Sequence, residues 1–296
     1  MLNNPIRSTG TGEGRNETFS GYGNFDQSWN IEYQVGTFDF LRYFVGNLTG
    51  TGETATPYIL TEDEFMDYTS GDDNGLKSFG LAIGSTDGSG TDDEDVLSGC
   101  VINTMGLNLD LGKPLIATLA GFCRKPESDT SASTFTPDTT KPWIFSQGNF
   151  KWNGTRVSRV TSATINAENN FNPEAGREIG SRFVEAAEPG LRKYGWTITV
   201  KMTSELATTI REDFYGGTGT PSTGVNDGEM VLRELSLVLS EGSATGDRNG
   251  LIQLDECIVS TISKPIRIDD TIVELTINGS AKKAKSGQLI KWWDAT

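Results

Sequence analysis

Two stretches of this chain read alike at a separation of 157 positions. Gly99-Cys100-Val101-Ile102-Asn103-Thr104-Met105 has its counterpart in Glu256-Cys257-Ile258-Val259-Ser260-Thr261-Ile262, and the same spacing sets Leu109 over Ile266, Leu111 over Ile268, Leu115 over Ile272 and Ile116 over Val273. Upstream, Trp29-Asn30-Ile31-Glu32-Tyr33-Gln34-Val35 matches Trp196-Thr197-Ile198-Thr199-Val200-Lys201-Met202. Each is followed by a short segment ending in Phe44-Val45-Gly46 or Phe214-Tyr215-Gly216. One match between alternating strands can arise by chance, but three in the same order predict a duplicated unit whose loops have diverged. A chain that carries one surface twice is better suited to assembly than to catalysis.

Composition narrows the class further. The 296 residues are enough for two domains with cores of their own, and 35 glycines with 35% hydrophobic residues suit short strands joined by turns. Met1-Leu2-Asn3-Asn4-Pro5 carries no export pattern, and no apolar run approaches the about 20 residues of a membrane helix, so the chain is expected to be soluble and unprocessed. Histidine is absent, which excludes Ser-His-Asp and Cys-His catalysis but eliminates no enzyme class completely, because paired carboxylates remain available. Three cysteines, Cys100, Cys123 and Cys257, are too few and too scattered to predict a disulfide framework or a zinc site; Cys100 and Cys257 are expected as small core residues. A net charge of −15 opposes any grip on nucleic acid through neutralised phosphates. It suits a surface past which a polyanion must slide, and equally a surface that is acidic for solubility or a saline habitat.

Along the chain, residues 1–24 read as a polar arm. Trp29 to Val35 alternates as a half-buried strand, and Phe38, Leu41 and Phe44 fall at helical spacing before Gly46. Thr61 and Glu64 form a capping-box pattern for a second short helix, while Leu76 to Ile83 reads as a strand. The first hairpin, Leu97 to Arg124, turns at Leu111-Gly112-Lys113-Pro114. A Ser/Thr/Pro stretch over 127–142 reads as a linker. Beyond it come an alternating run over Val157 to Asn166, a long connection Phe171–Gly190, the Trp196 strand, and a helical stripe of Leu206, Ile210 and Phe214 capped by Ser204. Alternation over Met230 to Leu239, a second hairpin Leu254–Gly279 and Lys291-Trp292-Trp293 complete it. The expected fold is mainly β: two tandem β-sandwich or barrel domains, 25–126 and 143–296, each flanked by a short α-helix.

No motif carries chemistry. The acidic stretch Asp87 to Asp95 lacks the sixth-position glycine and terminal glutamate of a calcium loop, so no metal is assigned. Asp72-Asp73 and Asp269-Asp270 are better read as turn residues than as glycosidase pairs. Phosphate loops, nucleophile elbows and dinucleotide fingerprints do not occur, so no catalytic residue and no cofactor is predicted. Sequons at Asn16, Asn47, Asn153 and Asn278 matter only in a glycosylating compartment.

Ser98 to Leu109, Val160-Thr161-Ser162-Ala163-Thr164-Ile165-Asn166-Ala167-Glu168-Asn169-Asn170 and the hairpin from Cys257 to Ala284 resemble the major tail tube proteins of long-tailed phages and related viruses, in layout and strand texture over residues 25 to 285. The resemblance implies a virion structural protein, not an enzyme. Its inner strands would join those of neighbouring copies around a lumen, in rings that stack into a tube for genome passage. A tandem duplication implies a trimeric ring with pseudo-sixfold symmetry. Implied partners are further copies of the chain, the tape-measure protein in the lumen, the tail terminator and distal tail proteins, and viral DNA passing without specific binding; no membrane is involved. The implied location is the virion tail, assembled in the host cytoplasm. On this reading Phe171–Gly190, with Arg177, Glu178, Arg182, Glu185 and Glu188, reaches an adjacent ring; otherwise it is an ordinary mobile loop. The competing class is a secreted or surface β-sandwich binding module of adhesin or lectin type, and a carboxylate-based glycoside hydrolase is the remote third.

Overall fold

The computed structural model describes residues 5–7, 20–22, 27–62, 76–86, 92–127, 139–177, 181, 183, 184, 189–201, 210, 213, 214, 231–263 and 274–294. The protein is mainly β, and every pairing among the described strands is antiparallel. β1 (Pro5–Arg7) and β2 (Ser20–Tyr22) pair with each other in a ribbon apart from the rest. β3 (Gln27–Gln34) leads into a 3-10 turn, Asp39–Leu41, that continues as α1 (Arg42–Val45). Phe38, Leu41 and Phe44 are fully buried, as their spacing requires, and Gly46 ends the helix at φ 129°.

β4 (Gly46–Thr49), β5 (Tyr58–Glu62) and β6 (Phe79–Thr86) follow. Next come the 19-residue β7 (Asp92–Asp110), β8 (Ile116–Cys123) and β9 (Lys125–Glu127). Past residue 139 the strands are β10 (Gly148–Trp152), β11 (Thr155–Arg156), β12 (Val160–Glu168), β13 (Lys193–Lys201) and β14 (Arg233–Ser240). The 16-residue β15 (Arg248–Ser263), β16 (Glu274–Ala281), β17 (Lys283–Ala284) and β18 (Gln288–Asp294) close the chain.

These strands form two layers. One has the order β3-β8-β7-β12-β13-β16-β15; the other runs β4-β5-β18-β15-β14-β10-β11. The long β15 belongs to both, its first half in the second layer and its last residues in the first. β5, from the first half of the chain, pairs with β18 from the second. Period-two alternation turns Met105, Leu107 and Leu109 of β7, Ala163 and Ile165 of β12, and Trp196 and Ile198 of β13 to the inside. There they meet the other layer in a core to which both halves contribute, with Trp152 of β10 5.1 Å from Trp196 between ring centroids.

The repeat seen in sequence reappears in the pairing. β7 and β8 slip register between Ile102 and Thr104, and β15 and β16 slip between Val259 and Thr261. β6 and β7 slip between Phe79/Cys100 and Leu81/Leu97, while β14 and β15 slip between Arg233/Cys257 and Leu235/Leu254. The residue that absorbs this second bulge is left-handed both times: Gly99 at φ 62° and Glu256 at φ 52°. Trp29 faces Gly121 across β3 and β8, and Trp196 faces Gly279 across β13 and β16; both indole N–H groups are buried without a hydrogen-bond partner among the described residues. Along the returning strands the separation is 158 positions, one more than on β7 and β15.

Three expectations change. Thr61 lies in β5 and caps no helix, because the β18 edge offers its backbone a partner; Glu64 to Met66 lie outside the described residues. Cys100 and Cys123 are joined as a disulfide, since β7 and β8 bring two residues remote in sequence to adjacent rungs. Cys257 is free, because Ala281 stands where Cys123 does in the other half, and burial pushes its thiol up to about 12. Asp92 to Asp95 are strand residues paired with Ile83 to Thr86.

Of the second expected helix, Ile210, Asp213 and Phe214 are described and helical. Ile210 is buried, but Phe214 is 37% exposed and the second anchor is polar. Asp213 accepts from Trp152 Nε1 at 2.8 Å and from Arg233 Nη2 and Nε at 2.7 and 3.0 Å. Asp213→Ala should therefore lower the free energy of unfolding by about 2–3 kcal/mol in urea melts, since the indole loses its acceptor and the partly exposed guanidinium its counter-ion; a loss below about 0.5 kcal/mol would mean that the latch contributes nothing.

Candidate assembly surface

The outward face of the first layer is polar and almost free of charge at its centre. The alternation that buries Leu107 and Ile165 sends Gly106, Asn108, Thr164 and Asn166 outward, next to Thr118 of β8, Thr197 and Thr199 of β13, and Thr276 and Asn278 of β16. Neighbouring side chains bond across the strands. Thr164 Oγ1 lies 3.0 Å from Asn108 Oδ1, Thr197 Oγ1 2.8 Å from Asn278 Oδ1, and Asn278 Nδ2 donates to Thr261 Oγ1 at 3.0 Å. Gly106 and Gly195 flank Asn166 and leave a shallow depression of about 650 Å³.

Charge sits on the margins. Glu168 pairs in register with Lys193 at one end of the strands, and Lys201 with Glu274 at the other. Asp110 accepts from Ser162 Oγ at 2.7 Å and from Lys113 Nζ at 3.3 Å. The Ser162 bond, and then Lys113, hold its carboxyl below the usual carboxylate range. Glu32 lies on the outermost strand.

Two borders of this layer remain open. β3 pairs only with β8, and the last residues of β15 pair only with β16, among the described residues. An open border presents unpaired N–H and C=O groups, a template for another chain.

At the Glu168 end, a polar knot fastens the layers. Arg192 donates from Nε to Asn169 Oδ1 at 2.6 Å, and from Nη1 and Nη2 to the Val45 and Phe44 carbonyls at 3.2 and 3.0 Å. Asn169 Nδ2 donates to the carbonyls of Phe44 and Ile102. Glu62 stands 3.8 Å from Arg192 and accepts from the Tyr194 hydroxyl, whose phenol burial pushes well above its ordinary value. Asn169 entered the sequence reading only within the Val160–Asn170 stretch and Arg192 not at all, because a polar residue just beyond a strand looks like any loop residue.

The Phe171–Gly190 connection starts from this knot. Phe171 is buried edge-on to Phe122, its N–H donates to Asn103 Oδ1 at 2.8 Å, and Arg177 bonds Glu174 at 3.3 Å. Glu178, Arg182, Glu185 and Glu188 lie outside the described residues, as do Asp72-Asp73, Asp87 and Asp269-Asp270. Trp292 docks on its own chain, against Phe38 and Tyr58 at 5.8 and 5.2 Å. Among the described residues no group of three His, Cys, Asp or Glu side chains is placed to hold a metal ion.

Among the described residues the protein is thus a two-layer β structure with a hydroxyl- and amide-rich outer face and two open borders on one layer. The chain is a member of the phage tail tube protein family, whose description, "Phage tail tube protein", matches residues 5–281. That family is structural, not enzymatic, and places the protein in the virion tail. No curated protein matches the chain.

Proposed function

We propose that this chain is the major tail tube subunit, and that its two halves are copies of one sandwich module, each with a flanking helix, that occupy successive positions around a ring. The reading is carried by the seven-stranded layer with one open border on each half, β3 in the first and the end of β15 in the second. Contacts of that kind are heterologous, and they close into a ring when the rotation between copies allows. Two modules per chain give three chains per pseudo-sixfold ring.

The polar face then lines the lumen. Its centre offers hydroxyls and amides, and the lysines it carries, Lys193 and Lys201, stand in register with carboxylates, so a DNA backbone finds few cations to bind and slides. Lumenal charge on this reading is carried by Glu32, Asp110, Glu168 and Glu274 at the margins. The same surface would surround a tape-measure protein during assembly in the host cytoplasm. The ends of the tube would meet the terminator and distal tail proteins, and Phe171–Gly190 would reach the adjacent ring.

Negative-stain microscopy of the purified protein should reveal rings or tubes of uniform diameter, and light scattering of single rings a mass of three chains. Compact particles with the mass of one chain would overturn the proposal and favour a β-sandwich binding module.

A further inference from the structure

The two copies of the module differ by one strand. β13 is flanked on one side by β16 and on the other by β12, and β12 in turn pairs with β7, so that it bridges one module to the next. Among the described residues, β3, the equivalent of β13, has β8 on one side and no strand on the other, and the end of β15, the equivalent of β7, has no partner where β7 has β12. What is missing at both places is the same element, the counterpart of β12.

Its place in the sequence is just upstream of β3, as β12 is upstream of β13. There, Asn24-Phe25 matches Asn170-Phe171, which sets Tyr22 over Glu168, Ser20 over Asn166, Phe19 over Ile165 and Thr18 over Thr164. In that alignment Phe19 corresponds to Ile165, which is buried in β12, and Thr18 and Ser20 correspond to Thr164 and Asn166 on the polar face. Ser20–Tyr22 is already a strand, β2, paired with β1 over three residues only. A two-stranded ribbon that short is marginal in water and is readily exchanged for a place in a wide sheet.

We propose that β2 adds to β3 as a hairpin in the assembled ring and joins it to the β15 border of the neighbouring chain, reproducing between chains the β12–β7 junction found within one. This rests on the ring reading above. β2 ends at Tyr22 and β3 starts at Gln27, a separation in the sequence that suits a hairpin. The register follows from the internal template. Thr104 pairs with Glu168 and Gly106 with Asn166, so Thr261 of one chain faces Tyr22 of the next, and Ser263 faces Ser20. Directly opposed Cβ atoms in such a pair lie about 4.5–5.5 Å apart, near enough for a disulfide after slight adjustment.

The test uses full-length protein carrying Tyr22→Cys and Thr261→Cys, oxidised after assembly, with each single variant as control. Covalent dimers and trimers on a non-reducing gel, formed by the double variant and by neither single one, are expected. Uncrosslinked chains in well-formed rings would overturn the proposal and leave the ring reading standing, whereas absence of rings in the unsubstituted protein would defeat both. A full-length Gly21→Pro variant gives an independent arm, because proline is excluded from a central strand. Its melting as an isolated chain should be unchanged while the ring fraction falls at least tenfold. Rings undiminished by the proline would again overturn the inference.

Discussion

A single added methyl group at Gly121 or Gly279 is expected to remove most of the folding stability of the protein. A Cβ at Gly121 would lie 1.8 Å from the Val101 carbonyl oxygen and 3.0 Å from Trp29 Cζ2; at Gly279 it would lie 2.2 Å from the Ile258 carbonyl oxygen and 2.3 Å from Trp196 Cε2 and Cζ2. Neither obstacle can swing aside. The carbonyls are in strands paired to the glycine strand itself, and the indoles are packed in the core. Relief requires parting the ladder at the bulge, so Gly121→Ala and Gly279→Ala should each cost more than about 3 kcal/mol, beyond the usual range for overpacking. Urea unfolding followed by tryptophan fluorescence measures this directly. Gly195→Ala is the control. Its Cβ would meet nothing nearer than 3.9 Å, and its cost should stay under about 1 kcal/mol. Equal losses at Gly121 and Gly195 would show that the close approach of indole and glycine has no energetic weight.

Arg192→Met should be nearly as damaging, for an electrostatic reason. The Arg192 side chain is 12% exposed, and its guanidinium serves Asn169, two carbonyls at the end of α1 and Glu62, with the Phe44 ring 5.4 Å beneath it. Its removal leaves the Glu62 carboxylate without its cation and the Val45 carbonyl without this donor, at a cost of about 3–5 kcal/mol. Methionine preserves most of the aliphatic volume, so the loss reports on polar contacts more than on packing. Arg192→Lys should recover less than half, because one ammonium cannot reach three acceptors in the fork geometry that the guanidinium spans. Denaturant midpoints of the three proteins decide it. An Arg192→Met variant within about 1 kcal/mol of the parent would mean that water replaces the side chain without penalty.

The two sites differ in how far they could be read in advance. Trp29 and Trp196 were visible as matched positions, but nothing in the sequence around Gly121 or Gly279 marks them as the residues opposite; that required the register across β8 and β16. The helix through Phe38, Leu41 and Phe44 was legible because its period is local. The Thr61 cap pattern was equally local and misled, since the β18 edge supplied a competing partner from more than 220 residues away. Asp213 and Arg192 were invisible because an ionisable residue acquires a structural role only when its acceptors or donors arrive from other elements.

The sequence by itself determined the strongly alternating strands, the repeated order of elements and the alternation that separates a core face from a hydroxyl-rich one, because side-chain period and turn chemistry act over a few residues. Tertiary structure alone decided that β5 crosses to β18, that Cys100 meets Cys123 while Cys257 stays free, and that, among the described residues, β3 and the end of β15 are left as open borders. Those outcomes depend on register and strand order. Register and order are set by which distant backbone groups and apolar faces come together, a property that no short window of residues carries.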